Sequence, residues 1–163
     1  MLVTYQKYEI TELIREIIIE WIPLFEKNNI TYSIDLPPKN IIIESDSTLL
    51  RRMMNNLIKN AFKHSQATHI NICLIEHDTS IDIQINDNGI GIPVHSQIEI
   101  FDRLYKVDPS RNNTGSGLGL AVVKEIIKKL EGSIVVNSAP NKGATFILTL
   151  NKKISDIDNS LAN

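Results

Sequence analysis

One cysteine, Cys73, stands in the whole chain. It has no partner for an internal disulfide and no CxxC pair for zinc, and it fits a reducing compartment. Its apolar neighbours predict a buried strand residue rather than a reactive thiol. Seven glycines and six prolines are too few for a collagen-like repeat. Basic residues are in no excess: 17 Lys and Arg against 19 Asp and Glu leave a net charge of -2. Nothing in that balance points to nucleic acid or an anionic membrane as the main partner. No apolar run approaches the roughly 18 residues of a membrane span. The opening Met1-Leu2-Val3-Thr4-Tyr5-Gln6 lacks the basic stretch and apolar core of a signal peptide. There is no internal repeat. What is present is ordinary globular composition, 42% hydrophobic and 22% charged over 163 residues. That rules out a disordered chain and makes one domain, able to bury about two thirds of its unfolded surface.

Apolar spacing divides the chain into elements. Ile10, Leu13, Ile14, Ile17, Ile18, Trp21 and Phe25 form one helical stripe, with Thr11 as its expected cap and Pro23 expected to bend or end it. Ile30 to Asp35 alternates as a strand, and Ile41 to Ile43 reads as another. Asp46 and Ser47 are caps for a second helix carrying Leu50, Met53, Met54, Leu57, Ile58 and Ala61. Ile70, Ile72 and Leu74, then Ile81, Ile83 and Ile85, make a strand pair turning at His77 to Ser80. A polar stretch from about Asn88 to Ser116 has the length of a functional loop. Leu118 to Leu130 reads as a third helix ending at Gly132, and Ser133 to Ser138 and Thr145 to Leu150 as final strands. This gives an α/β domain over residues 1–150 and a polar, frayed tail over 151–163.

Three constellations carry chemistry. On the second helix, Asn56, Asn60 and Lys63 fall within about 60° of one another, beside the apolar stripe. They read either as a solvated face or as a polar site. Asparagine is a poor helix former, so several on one stripe hint at a polar site, though a solvated face is the commoner reading of such a stripe. In Asn86-Asp87-Asn88-Gly89-Ile90-Gly91-Ile92-Pro93, Asn-Gly alone reads as a tight turn. Strand parity adds more: Asp87 shares a face with Ile81, Ile83 and Ile85, so an inward carboxylate needs donors. The exocyclic amine of adenine is one such donor. Last, Thr114-Gly115-Ser116-Gly117-Leu118-Gly119-Leu120 opens the third helix, where free amides and the helix dipole suit phosphate. The spacing is not that of a dinucleotide fingerprint, no strand precedes it, and a P-loop Lys-Ser/Thr is absent.

Together these motifs resemble the sensor histidine kinases. Asn56 to His64 resembles their asparagine box, and Asp87 to Pro93 their first glycine box. Ile100 to Lys106 resembles the phenylalanine box, Gly115 to Leu120 the second glycine box, and Gly143 to Phe146 the last. The resemblance implies the catalytic ATP-binding domain, with a Bergerat fold: a two-layer sandwich of a mixed five-stranded sheet on three helices, shared with gyrase and heat-shock chaperone ATPases. It implies ATP and Mg²⁺ as cofactors. Asn60 would be the magnesium ligand, and Asn56 and Lys63 would contact the phosphates or the metal's waters. Asp87 would bind the adenine amine, and Gly89, Gly91, Ile92 and Thr145 would lie at the nucleotide. Phe101, Tyr105, Lys106 and Arg111 would also lie at the nucleotide, with Arg111 reaching the γ-phosphate from a lid over residues 106–115 that orders on nucleotide. Gly115, Ser116, Gly117, Leu118, Gly119 and Leu120 would flank the triphosphate. His64 matches a position near the base, where packing is its expected role.

Two departures from the family pattern matter. Position 144 is alanine where the family often has threonine beside the adenine-reading carboxylate. None of the four histidines, His64, His69, His77 and His95, sits in a phosphoacceptor pattern, so the accepting helical hairpin is expected outside this chain. The implied whole is a membrane-anchored receptor with this domain in the cytoplasm, acting on a response regulator and binding no nucleic acid, the fragment itself monomeric. The alternatives are a stand-alone serine kinase restraining a sigma factor, a gyrase-like ATPase and a non-catalytic nucleotide-binding module. Gyrase-like relatives carry an activating glutamate where this chain has Asn56, which cannot act as a general base.

Overall fold

The computed structural model describes residues 1–63, 65–102 and 119–153. The elements are β1 (Gln6–Glu9), α1 (Ile10–Lys27), β2 (Thr31–Asp35), β3 (Ile42–Ser45) and α2 (Ser47–Lys63). They continue as β4 (His69–Glu76), β5 (Ser80–Asp87), α3 (Gly119–Lys129), β6 (Ser133–Ser138) and β7 (Ala144–Asn151). Two single-turn 3₁₀ helices, Val94–Ser96 and Glu99–Phe101, follow β5.

Period-two apolar patterns build the main sheet, whose order is β2-β4-β5-β7-β6. The β2–β4 pair is parallel and the other three pairs are antiparallel. The sheet is therefore mixed and five-stranded, as expected. One face carries Ile70, Ile72 and Leu74 of β4, Ile81, Ile83 and Ile85 of β5, and Phe146, Leu148 and Leu150 of β7, all buried. Against it pack Ile14, Ile17 and Ile18 of α1, Leu50, Met53, Met54 and Leu57 of α2, and Val123 and Ile126 of α3, in one core. The other face has Asn71, Cys73, Gln84, Asn86, Thr145 and Ile147 at intermediate exposure. Cys73 is thus not in the core. Its Sγ lies 4.0 Å from Asp35 Oδ2, and partial burial, then the nearby Asp35 charge, push the thiol pKa up.

A second, two-stranded sheet was not anticipated. The strand expected at Ile41 to Ile43 is β3, and it pairs antiparallel with β1, Gln6 opposite Ser45 and Glu9 opposite Ile42. Lys152 stitches the two sheets together. Its carbonyl accepts from Glu44 N–H at 2.8 Å, and its N–H donates to the Thr79 carbonyl at 2.9 Å. β7 runs to Asn151, one residue past the boundary at 150 read from the sequence.

Helix ends show which sequence signals held. Asp46 caps α2, its Oδ1 accepting from Leu49 N–H at 3.0 Å while Oδ2 accepts from Thr4 N–H at 2.8 Å. Thr11 does not cap α1. The helix starts at Ile10, and the buried Thr11 Oγ1 instead accepts from Ile41 N–H at 3.1 Å. Pro23 lies inside α1, which continues to Lys27. After α3, Glu131 takes the left-handed conformation, φ 58°, and Gly132 N–H returns to the Ile127 carbonyl at 2.9 Å. Gly132 is glycine for space: a Cβ there would sit 2.4 Å from the Thr149 carbonyl oxygen.

Candidate functional site

Alternation along β5 carries Asp87 into the interior at 2% exposure, in line with Ile81, Ile83 and Ile85. A carboxylate there must be supplied with donors. Gly89 N–H donates to Oδ1 at 2.9 Å. The N–H of Ala144, the register partner of Asp87 on β7, also faces the carboxylate. The Ser65 hydroxyl lies between this carboxylate and the Ala61 carbonyl, 2.5 Å away, and its one hydrogen serves one of them at a time. Burial pushes the Asp87 pKa above the ordinary aspartate value, and the donors from Gly89, Ala144 and Ser65 pull against it. An ionised carboxylate has about four lone-pair sites. Among the described residues, the donors leave at least one of those sites open.

The glycines around Asp87 make room for backbone. A Cβ at Gly89 would lie 2.0 Å from the Ser65 carbonyl oxygen, and one at Gly91, φ 74°, would lie 2.0 Å from that of Ala139. Gly143, φ 73°, lies against the Asp87 carbonyl oxygen, 1.9 Å from where its Cβ would be. Main-chain bonds join these turns: Gly143 N–H to Gly89 O at 3.0 Å, Asn141 N–H to Ile90 O at 2.6 Å, and Ile90 N–H to Ser65 O at 2.7 Å. The sequence reading gave Gly89 and Gly91 to the ligand; their first requirement is this backbone packing.

Ser65 also ties α2 to the Asp87 turn. It holds Ala61, next to Asn60, through its hydroxyl, and Ile90 through its carbonyl. On α2, Asn56 and Asn60 are half-buried and Lys63 is exposed. No described residue bonds either carboxamide, whereas the neighbouring Asn55 accepts from Trp21 Nε1–H at 2.9 Å. Among the described residues no group of three or more His, Cys, Asp or Glu is placed to hold a metal.

Residues 45–154 match the family described as histidine kinase-, DNA gyrase B-, and HSP90-like ATPase. The chain belongs to this family. The sensor protein kinase WalK of Staphylococcus aureus is 37% identical to it over 125 residues, 74% of this chain and 30% of that protein. WalK of the JH9 strain matches over the same stretch, 21% of its length. The chain thus spans less than a third of the curated relatives it matches. A nucleotide-free catalytic domain of histidine kinase ThkA superposes with a TM-score of 0.77 at 26% identity, over 93% of this chain and 99% of that one. Full-length ShkA, solved in complex with AMPPNP, shares the fold, with a TM-score of 0.82 at 22% identity over 92% of this chain and 31% of that one.

The other residues read from the sequence as site residues divide by face. Ile92 N–H donates to Ser138 Oγ at 2.8 Å, which sets it on the turn beside Asp87. Phe101 meets Phe146 edge-on, ring centroids 6.4 Å apart, with Lys124 Nζ 5.7 Å from its ring centre. Gly119 opens α3, and a Cβ there would meet nothing within 4 Å among the described residues. Leu120 packs on the core. Thr145 is not with them. It lies on the sheet's other face, its Oγ1 accepting from Asn86 Nδ2 at 2.5 Å, and Ala144 takes the inward place opposite Asp87. His64, Tyr105, Lys106, Arg111, Gly115, Ser116, Gly117 and Leu118, with the expected lid, lie outside the described residues. Sequence reasoning missed Ser65, Gln97 and Ser138, single polar residues at element ends that no motif marks.

Proposed function

We propose that this domain binds Mg-ATP and donates the γ-phosphate to a histidine on a helical hairpin in another part of a sensor kinase. The observation that carries this reading is Asp87: a buried carboxylate whose protein donors leave one acceptor site free, at the end of a glycine-packed turn. Adenine offers an amine to that site, while guanine offers a carbonyl, which the carboxylate repels. Binding energy from the base then holds the triphosphate for in-line transfer, which is a matter of positioning and charge.

Asn60 would hold the magnesium ion. Mg²⁺ keeps few protein ligands beside phosphate oxygens and water, and an unbonded, half-buried carboxamide without an acidic cage fits that demand. When bound, the ion neutralises phosphate charge. Asn56 and Lys63 would flank the phosphates, and Arg111 would reach the γ-phosphate from the lid. Asn56 offers no base to activate water, so this chain is a poor ATPase by itself and a phosphate donor to a positioned imidazole.

The family's relatives favour this reading over the serine-kinase and regulatory alternatives. ThkA has been solved in complex with the response regulator TrrA, and a response regulator is the proposed downstream partner here. Among the described residues no helix is long and apolar enough to cross a membrane, and we place the domain on the cytoplasmic side of an anchored receptor, monomeric as a fragment. Its boundary falls beyond Lys152. The test is a titration with ATP, ADP and GTP, with and without Mg²⁺. ATP and ADP should bind and GTP should bind at least tenfold more weakly. Equal affinity for ATP and GTP would overturn the assignment.

A further inference from the structure

A serine outside every recognised motif sits where the walls of the base site meet. Ser138 is the last residue of β6. Its Oγ accepts the Ile92 N–H at 2.8 Å and donates to the Gly143 carbonyl at 2.6 Å. Gln97 braces the same spot: its Nε2 donates to the Ile92 carbonyl at 3.0 Å and to the Ser138 carbonyl at 2.9 Å. Ile92 is thus held at both its N–H and its C=O.

The Gly143 carbonyl and the Ala144 N–H belong to one planar peptide. One side of that plane is held by Ser138, and the other faces Asp87. Gly143 is at positive φ, where glycine permits several backbone conformations. The N–H of the same glycine donates to the Gly89 carbonyl at 3.0 Å, and Gly89 N–H donates to Asp87 Oδ1 at 2.9 Å, so a bond that fixes Gly143 bears on the donors of the carboxylate. The family's threonine would add a side-chain hydroxyl at position 144, but alanine offers Asp87 its main chain alone.

We propose that Ser138 is a positioning residue of the nucleotide site, its hydroxyl clamping Ile92 and the Gly143 peptide so that main-chain donors stay aimed at Asp87. The proposal rests on the ATP reading for its consequence and on the empty protein for its geometry. Among the described residues, Gly89 on its own turn, Ile70 from β4, Gly143 and Ala144 at the start of β7 and Ser65 beyond α2 meet Asp87, and none of these is titratable. Lys63 of α2 is exposed, and the His69 ring of β4 is bonded to Thr31 and Ser33.

The experiment follows the Asp87 side-chain carboxyl by ¹³C NMR against pH in the empty domain, and ADP affinity against pH, for wild type, Ser138→Ala and Ser138→Thr. With the clamp gone, Asp87 loses aimed donors. In Ser138→Ala its titration should move to higher pH, and the loss of ADP binding on acidification should move with it. At neutral pH ADP should bind about tenfold more weakly. Ser138→Thr, which keeps the hydroxyl, should restore all three. A lower melting temperature with an unmoved Asp87 titration would overturn the clamp. Where Ser138→Ala fails to fold, Ser138→Cys fills the space with a weak hydrogen-bonding thiol; it should shift the titration the same way, and no shift would equally overturn the proposal. Failure of the wild type to bind ADP would overturn the reading of the site and not the clamp, which the titration measures without ligand.

Discussion

At the scale of a residue, Asp87 costs the empty fold something that its ligand returns. Folding raises its pKa, chiefly by burial. An acid whose pKa is raised by folding favours the folded state below the ordinary aspartate value of about 3.9 and burdens it as pH rises through the raised pKa. Asp87→Asn removes the charge and keeps an acceptor. Melts at pH values from below that figure upward should show the empty variant gaining on the wild type as pH rises. A wild type that gains instead would refute the sign. ATP binding should move the opposite way, about ten- to a hundredfold weaker in the variant, as loss of a charge-assisted bond of ~1.5–3 kcal/mol implies. Gly143 has no such trade-off. Alanine there would add left-handed strain of about 1–2 kcal/mol and a Cβ 1.9 Å from the Asp87 carbonyl oxygen. Gly143→Ala should therefore lose stability and nucleotide binding together in the same calorimetric titration.

At the scale of elements, β4, β5 and β7 were legible because their strict alternation leaves one register, and that parity alone sent Asp87 inward. The same parity placed Thr145 outward, and a motif-based reading that grouped it with the nucleotide overlooked it. β1 carried no such signal. Gln6-Lys7-Tyr8-Glu9 has one half-buried residue, and its partner β3 lies beyond α1 and β2. Thr11 read as a cap because side-chain chemistry at a helix start is local, whereas its actual partner, Ile41 N–H, comes from the distant approach to β3. Helix α2 was legible in its apolar stripe, and in the proposed site its Asn60 serves the metal end of the ligand while Asp87 serves the base. Asn60→Ala should remove most of the Mg²⁺ enhancement of ATP binding while leaving adenosine affinity nearly unchanged, read by titration with and without the ion. Full retention of the Mg²⁺ dependence would make Asn60 a surface residue. The Asp46 cap belongs to this scale too. Asp46→Ala should cost about 1 kcal/mol for the lost helix cap and more for the bond to Thr4, measurable as a lowered denaturant midpoint.

At the scale of the whole molecule, two sheets and three helices among the described residues frame the proposed nucleotide site, and Lys152, just past β7, joins the two sheets. Truncation after Leu150 should melt at a lower temperature than truncation after Lys153, because only the shorter chain loses the bonds to Thr79 and Glu44. Equal melting temperatures would show the stitch to be idle. The domain alone should bind ATP without labelling itself. Transfer needs an imidazole at about 3–3.5 Å from the phosphorus, and the described histidines are engaged or remote. His69 is bonded to Thr31 and Ser33, His77 to Asp82, and His95 lies exposed on the turn after Pro93. The central claim, that a buried aspartate reads adenine, is tested most directly by one calorimetric comparison: Mg-ATP and Mg-GTP titrated into the wild type and into Asp87→Asn. The account predicts that ATP binds the wild type at least tenfold more tightly than GTP and that this preference collapses in the variant. Equal binding of the two nucleotides to the wild type, or an ATP preference that survives Asp87→Asn, would contradict it.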